Sequence, residues 1–442
     1  MSKEGRPSAL SRLANAFDVA FRGLSAPADD DVLERLSVLV HECMSGRGRS
    51  FHDVEHALEI GRSTDPVQIL AGLFHDVVYF QVDGGLGTAQ RFTHDAIEIL
   101  DGTVRVTGSP DPTDQLANDV IAVFGMKPGQ TLSVYGGLNE LASAFVAVRS
   151  LAPILAHKDL VAVAAAIEAT IPFRPDGPDG CPLETLFKRL RRVGFSEDEA
   201  ERTVLSALEV VNRDVQNFAF ENSAEFLDHT WMLLPESNWS LRTNTAYALS
   251  EYRTAIERME RFLTGLAPTL VFSAFRGRPD PETLEAMTRG AARNIRIGSK
   301  YLRAKCVAAR VLESLAMATG GDGPVSLFMG DLPDAKTPTL SIEDFFAPSP
   351  RRGEDQDAEV FSLLAYGRAS ETSFDLRNAP LAAYLYGALG DAATEKILTE
   401  LRAGKSALEL LPSDVLKPLI EAIAAIASTR RRRLLALLPP ES

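Results

Sequence analysis

Residues 67–80, VQILAGLFHDVVYF, are apolar nearly all the way round a helix, yet His75 and Asp76 sit inside the run. Asp65 and Pro66 just before it read as an N-cap and a first helical residue, since proline lacks only an N–H that the first turn leaves unused. A helix with no polar face has to be buried. An ionised carboxylate in such a place is costly unless it is paired or coordinates a cation. The fold must therefore bring partners to these two side chains. A lone histidine in an apolar helix is ordinarily a hydrogen-bonded core residue. An adjacent aspartate calls for more than that.

Candidate partners lie upstream in FHDVEHAL, residues 51–58. On a helix, His52 and His56 are one turn apart on one face, so both imidazoles can converge on one locus. Neutral imidazole and carboxylate together suit a first-row divalent metal, and water on such a metal becomes a nucleophile near neutral pH. The chemistry implied is metal-assisted hydrolysis. An amphipathic helix carrying two chance histidines would leave His75 and Asp76 unexplained.

The segment SFHDVEHALEI resembles the Tyr-His-Asn-x-x-His-Ala signature of HD-domain phosphodiesterases, and LFHDVVY resembles the His-Asp doublet of the HD superfamily of metal-dependent phosphohydrolases. The resemblance covers these two stretches and one later aspartate. It implies an all-α, HD-type helical bundle with His56, His75 and Asp76 as metal ligands. It also implies His52 as the acid that protonates the leaving oxygen. Asp53 stands where the phosphodiesterase branch has asparagine.

A further ligand can be sought by physics. Ser196 followed by Glu199 forms a capping-box signature that starts a helix. Reading on with helical period, Leu208, Val211, Val215 and Phe218 make an apolar stripe, with Ala207, Val210 and Asp214 along its edge. A carboxylate at that edge needs a partner, which makes Asp214 the candidate closing ligand. Its context, NRDVQN, also resembles the turn around the last metal aspartate of the phosphodiesterases. Oxygen and nitrogen ligands without thiolate admit Mn, Fe, Zn, Co, Ni or Mg, as one ion or as two with Asp76 bridging.

A rival pattern overlaps the first motif. Residues 52–56 also fit H-x-x-E-H, the inverted-zincin metalloprotease signature, with Glu140 available as a third ligand. That reading leaves His75, Asp76 and Asp214 without a role. Weaker candidates surround the core set. Asn139, Glu140 and Ser143 open an apolar helical stretch, where a helix cap is the simpler explanation. Thr170 and Arg174 flank Pro172 at a helix end and are candidate substrate contacts, as are Arg47 and Arg49 in the glycine-containing loop before His52.

The length of 442 residues allows two or three domains, each with its own core. Clear periods are helical almost throughout; VRVTG at 104–108 is the one strand-like stretch. The expected organisation is an N-terminal extension 1–24, an HD-type domain 25–270, a helical segment 271–319, a Gly/Pro/Asp-rich linker 320–356 and a helical C-terminal region 357–442. Lysine and arginine number 46 against 60 acidic residues, a net charge of -14 that repels polyanions and disfavours broad nucleic-acid binding. A small phosphorylated substrate is easier to accommodate. Cys43, Cys181 and Cys306 are too few and too scattered for a disulfide framework. No uncharged apolar run has the length of a membrane span, and the first ten residues lack an apolar signal core, so a cytoplasmic location is expected. Arg430–Arg433 follow an apolar helix and read as complements to a helix dipole. The C-terminal helices are a candidate surface for a homo-oligomer. The expected activity is hydrolysis of a small phosphomonoester or phosphodiester, with a catalytically silent ligand sensor or an assembly protein as alternatives.

Overall fold

The computed structural model describes residues 6–107, 111–178, 180–242, 247–331, 340–346 and 352–438. These form an all-α fold of 21 helices with one two-stranded sheet. No helix among them is long and apolar enough to cross a membrane. The chain divides into two compact units, one made of Met1–Asn217 and Ala267–Arg289, the other of Phe218–Leu266 and Gly290–Ser442.

The first unit contains α1 (Ala9–Gly23), α2 (Asp30–Met44), α3 (Val54–Ile60), α4 (Pro66–Phe74), α5 (Phe80–Asp83) and α6 (Gln90–Thr93). A hairpin of β1 (Ile97–Leu100) and β2 (Thr103–Val106) follows. Its turn is Asp101-Gly102, both at positive φ, as a two-residue hairpin of right-handed twist requires. Next come α7 (Gln115–Phe124), α8 (Leu138–Leu151), α9 (His157–Ala169), α10 (Pro182–Arg192) and α11 (Glu197–Asp214). α9 is the hub. Every residue from Leu160 to Ala169 is buried, and its run of alanines lets α4, α8 and α11 pack closely around it. α11 begins with the expected capping box of Ser196 and Glu199.

The second unit contains α12 (Ser223–Ser237), α13 (Leu249–Gly265) and most of α14 (Pro281–Thr319), then α15 (Ser326–Met329) and α16 (Ala358–Tyr366). It ends with α17 (Pro380–Leu389), α18 (Asp391–Arg402), α19 (Ala407–Leu410), α20 (Ser413–Ile426) and α21 (Arg431–Leu435). Arg430 donates to the carbonyls of Ala316 and Gly321, and Arg433 to that of Thr319. The C-terminal arginines thus satisfy the end of α14, where a helix exposes carbonyls and negative dipole.

Several expectations need revision. Residues 9–23 are not an extension: Leu13, Phe17 and Phe21 are fully buried, and the Phe17 ring meets that of Phe74 at 5.8 Å. Their spacing of three to four residues is a helical core stripe. The division at Asn217 separates α12 and α13 from the first unit, although the sequence pattern placed them in one domain with it. Within the expected linker, α15 buries Phe328 completely, while 332–339 and 347–351 lie outside the described residues. The helix from Pro66 stops at Phe74 instead of continuing to Phe80, and α3 begins only at Val54, so His52 precedes it.

α3 and α4 touch backbone to backbone. A Cβ on Gly72 would lie 2.4 Å from the amide nitrogen of Gly61 and 2.6 Å from its Cα. Only glycine permits this approach, which holds His56 on α3 beside His75 at the end of α4. Gly72→Ala should therefore force the two helices apart and destabilise the protein by ~1–3 kcal/mol, the usual size of an overpacking penalty. Urea denaturation measures this, and an unchanged midpoint would contradict the account.

Candidate metal centre

The structure brings His56, His75, Asp76 and Asp214 together, with one possible ligand atom from each lying within 4.8 Å of all the others. His56 Nε2 lies 3.2 Å from Asp214 Oδ1 and 3.6 Å from Asp76 Oδ2. His75 Nε2 lies 3.0 Å from Asp76 Oδ2 and 3.4 Å from Asp214 Oδ1. In spite of these distances neither Nε2 makes a hydrogen bond, although both are buried. The four atoms face a common centre instead of lying along one another's N–H directions. Ligands around a cation are arranged in this way.

Local folding sets each ligand. Asp53 caps α3 by accepting from the amides of Glu55 and His56, which turns His56 inward on the first helical turn. His75 is the C-cap of α4, and its Nδ1 lies 2.9 Å from the carbonyl of Gly72. That contact calls for a proton on Nδ1 and leaves the Nε2 lone pair facing the centre, as in many metal-binding histidines. Asp214 ends α11, and its neighbour Arg213 donates to the Ile60 carbonyl at the end of α3 and to Gln68 of α4. Three helices are thus tied together beside the cluster.

The turn carrying Asp76 is held by side chains in place of helical hydrogen bonds. Arg49 is fully buried and donates to the carbonyls of His52 (3.1 Å), Asp76 (2.7 Å) and Val77 (3.3 Å), and to both carboxylate oxygens of Asp83. Ser143 Oγ accepts from the Val78 amide and Asn139 Oδ1 from that of Phe80. These contacts explain why the helix ends at Phe74: the backbone groups that would extend it are engaged elsewhere. They also assign Arg49 to the scaffold, not to a phosphate loop. Arg47 is exposed.

His52 stands at the edge of the cluster. Its Nε2 is 3.8 Å from Asp76 Oδ2, and its ring lies between Phe51 at 4.8 Å and Tyr79 at 4.4 Å. It is slightly more exposed than His56. Glu55 points away and pairs with Arg6 and Arg12 at the surface. An inverted-zincin arrangement would need this glutamate as general base at the metal, so the geometry opposes the protease reading.

Electrostatics follow from burial and proximity. Burial disfavours a charged imidazole at His56, but the short contacts to Asp214 and Asp76 outweigh it and raise the group to about 9. His75 is likewise raised against its burial by both carboxylates. Asp76 and Asp214 are buried too, yet the histidines hold both low, Asp214 at about 2. Two anionic oxygens in a buried pocket therefore attract cations strongly, and a divalent ion competes with protons for the same atoms. The residues present fit such an ion: orphaned imidazole nitrogens, a fixed His75 tautomer and a mixed nitrogen and oxygen donor set.

The remaining candidates are placed differently. Glu140, on α8, is buried and its Oε2 has no hydrogen-bond partner; burial, with the charges of Asp76 and Asp214, pushes its carboxyl up to about 8. Thr170 donates to the Ile167 carbonyl, which fits a helix stop. Arg174 binds Glu168, a fully buried carboxylate on α9 that Arg189 also contacts. Motif reading missed Glu168, Arg189 and the Arg49–Asp83 pair. A charged residue within an alanine-rich helix was the signal available for Glu168. Arg174 also lines a cavity of about 250 Å³ with Val211 and Val215, the two apolar neighbours of Asp214 on its helix turn.

Comparison with protein families, curated proteins and solved structures returned no match for this chain.

The neutral carboxyl of Glu140 has a measurable consequence. In the unfolded chain it ionises near its ordinary value of 4.5, whereas in the folded protein it holds its proton to about 8. Stability is therefore lost as pH rises from about 4.5 to about 8 in the metal-free protein. Glu140→Gln should remove this loss, leaving stability near that of wild type at pH ~4 and above it by roughly 1–3 kcal/mol at pH ~8. Denaturant midpoints at the two pH values test this, and an equal effect at both would contradict it.

Proposed function

We propose that the chain is a metal-dependent phosphohydrolase or phosphodiesterase of the HD type acting on a small phosphate ester. The observation that carries this reading is the convergence of two buried, unsatisfied imidazole nitrogens and two carboxylates on one centre. The motif resemblance supplies the reaction class. A divalent ion bound there would polarise the phosphoryl group and lower the pKa of a coordinated water.

The protein's own residues have distinct tasks in this scheme. His56, His75, Asp76 and Asp214 hold the ion. Arg49 fixes the Asp76 turn and, through the His52 carbonyl, the distance between that turn and the acid. His52, with Nε2 3.8 Å from Asp76 Oδ2, donates a proton from that nitrogen to the leaving oxygen. Phe51 and Tyr79 flank its ring and keep it oriented. No thiolate takes part, and a structural metal site would ordinarily be closed and thiolate-rich.

The two motif histidines separate in their effects. His56→Ala should lose bound metal and activity together. His52→Ala should keep metal while turnover falls about 10²–10⁴-fold on substrates with poor leaving groups, and far less on nitrophenyl esters that need no protonation. Elemental analysis and a phosphomonoester and phosphodiester screen with added manganese read both outcomes. Metal bound without turnover on any ester would favour a ligand sensor, and equal metal loss in both variants would contradict the roles assigned.

A further inference from the structure

A cavity of about 250 Å³ in the first unit shares its walls with elements that carry the metal cluster. Val211 and Val215 of α11 line it, and Asp214 lies on the same helix turn. Residues three and four apart on a helix share a face, which sets Asp214 beside the two valines. Ile171, just past the end of α9, also lines the cavity and packs on Gly137, where a Cβ would lie 2.8 Å from the isoleucine Cδ1. Gly137 is the N-cap of α8, the helix that carries Glu140. Arg174, in the same wall, is near enough to Glu140 for each to shift the other's ionisation, and Asp76 and Asp214 act on Glu140 in the same way.

The lining is mostly apolar: Ile171, Leu183, Val211, Val215, Val271 and Phe272 are all buried. Its inner polar groups are largely engaged. Both terminal nitrogens of Arg174 go to Glu168, which leaves Nε as its one buried donor without an acceptor. The backbone amide and carbonyl of Ser273 are held by the Asn212 side chain at 2.8 and 3.0 Å. Pro172, Asp176 and Thr269 are exposed, so the cavity opens to solvent on their side. A ligand rich in hydroxyls would find few partners here, whereas a carbon-rich one buries its surface on the wall.

The wall is fixed in shape. Asn212, two residues before Asp214, ties the 269–274 segment of the lining to α11. Phe173, also in the lining, has a φ of 55°, a conformation that a bulky side chain adopts only where the surrounding structure demands it. An apolar cavity of about 150 Å³ can hold benzene, so this larger one has room for a chain or ring of about six to eight carbons.

We propose that this cavity takes the alcohol portion of the substrate, and that this portion is an apolar alkyl or aryl group of about six to eight carbons. The inference rests on the phosphohydrolase reading and narrows it: the substrate is the phosphate ester of an apolar alcohol, not of a sugar or a polyol. In the hydrolysis, the oxygen of water joins phosphorus, the bond from phosphorus to the alcohol oxygen breaks, and the alcohol leaves with the proton from His52. Its carbon chain lies against Ile171, Val211 and Val215.

Calorimetric titration of the full chain with 1-hexanol, before and after EDTA treatment and with glycerol as control, tests the cavity without any turnover. We expect saturable 1:1 binding of hexanol in both states and none of glycerol. With manganese added, kcat/KM for hexyl phosphate should exceed that for glycerol 1-phosphate at least tenfold, since both leaving alcohols need protonation and differ in the surface they bury. Ala274→Phe and Leu284→Trp each put bulk into the lining outside the ligand set and should weaken hexanol binding at least tenfold, with circular dichroism reporting that each variant is folded. Hexanol binding without turnover of any ester would uphold the occupant of the cavity and overturn the reaction class instead. Absence of hexanol binding, equal kcat/KM for the two esters, or undiminished hexanol affinity in both folded variants would each overturn the inference.

Discussion

Two carboxylates and two imidazoles crowded into one buried space are unstable as a set unless something positive sits among them. In the metal-free protein that role falls to protons, which is why His56 and His75 are raised while Asp76 and Asp214 are lowered. Proton binding is a poor substitute. The histidine Nε2 atoms remain without hydrogen bonds because the side chains are aimed at a shared centre and not at each other. A divalent ion would satisfy all four groups at once, and the contacts of the first unit hold them in that arrangement.

That architecture works through backbone groups more than through the ligands themselves. The Gly61–Gly72 contact sets the approach of α3 and α4, and Arg213 ties the end of α11 to both. Arg49 gathers three carbonyls from the two motif segments. Asn139 and Ser143, from α8, take the amides that follow the His-Asp doublet. A site held by packed helices and satisfied turns can keep its geometry without a bound ion.

Much of this was legible in the sequence. The apolar run around His75 and Asp76 demanded burial and therefore partners, and the capping box at Ser196 fixed a helix register that put Asp214 on a core-facing edge. Helical period identified the fold class for the same reason. What misled was local: periodicity continued the doublet's helix to Phe80, but side chains from distant segments captured its backbone groups, a tertiary effect that no window of sequence contains. Asp53 stopped α3 short of His52 for a simpler reason, since aspartate is a strong N-cap and the chain before it turns away. Arginines in a glycine-containing loop resembled an anion site, yet two of the carbonyls that engage Arg49, those of Asp76 and Val77, lie 27 and 28 residues along the chain.

The central claim is that one ion requires all four side chains, including Asp214, whose place rests on helix register more than on motif. Isothermal titration of the metal-free protein with manganese or zinc, in wild type and in Asp214→Asn, tests it most directly. Amide and carboxylate have nearly the same shape, so the variant should fold as wild type does. The account predicts that its metal affinity falls at least tenfold, on the order of 1.4 kcal/mol or more, and that added metal raises its melting temperature much less. Wild-type affinity in Asp214→Asn would contradict the account and require a different fourth ligand.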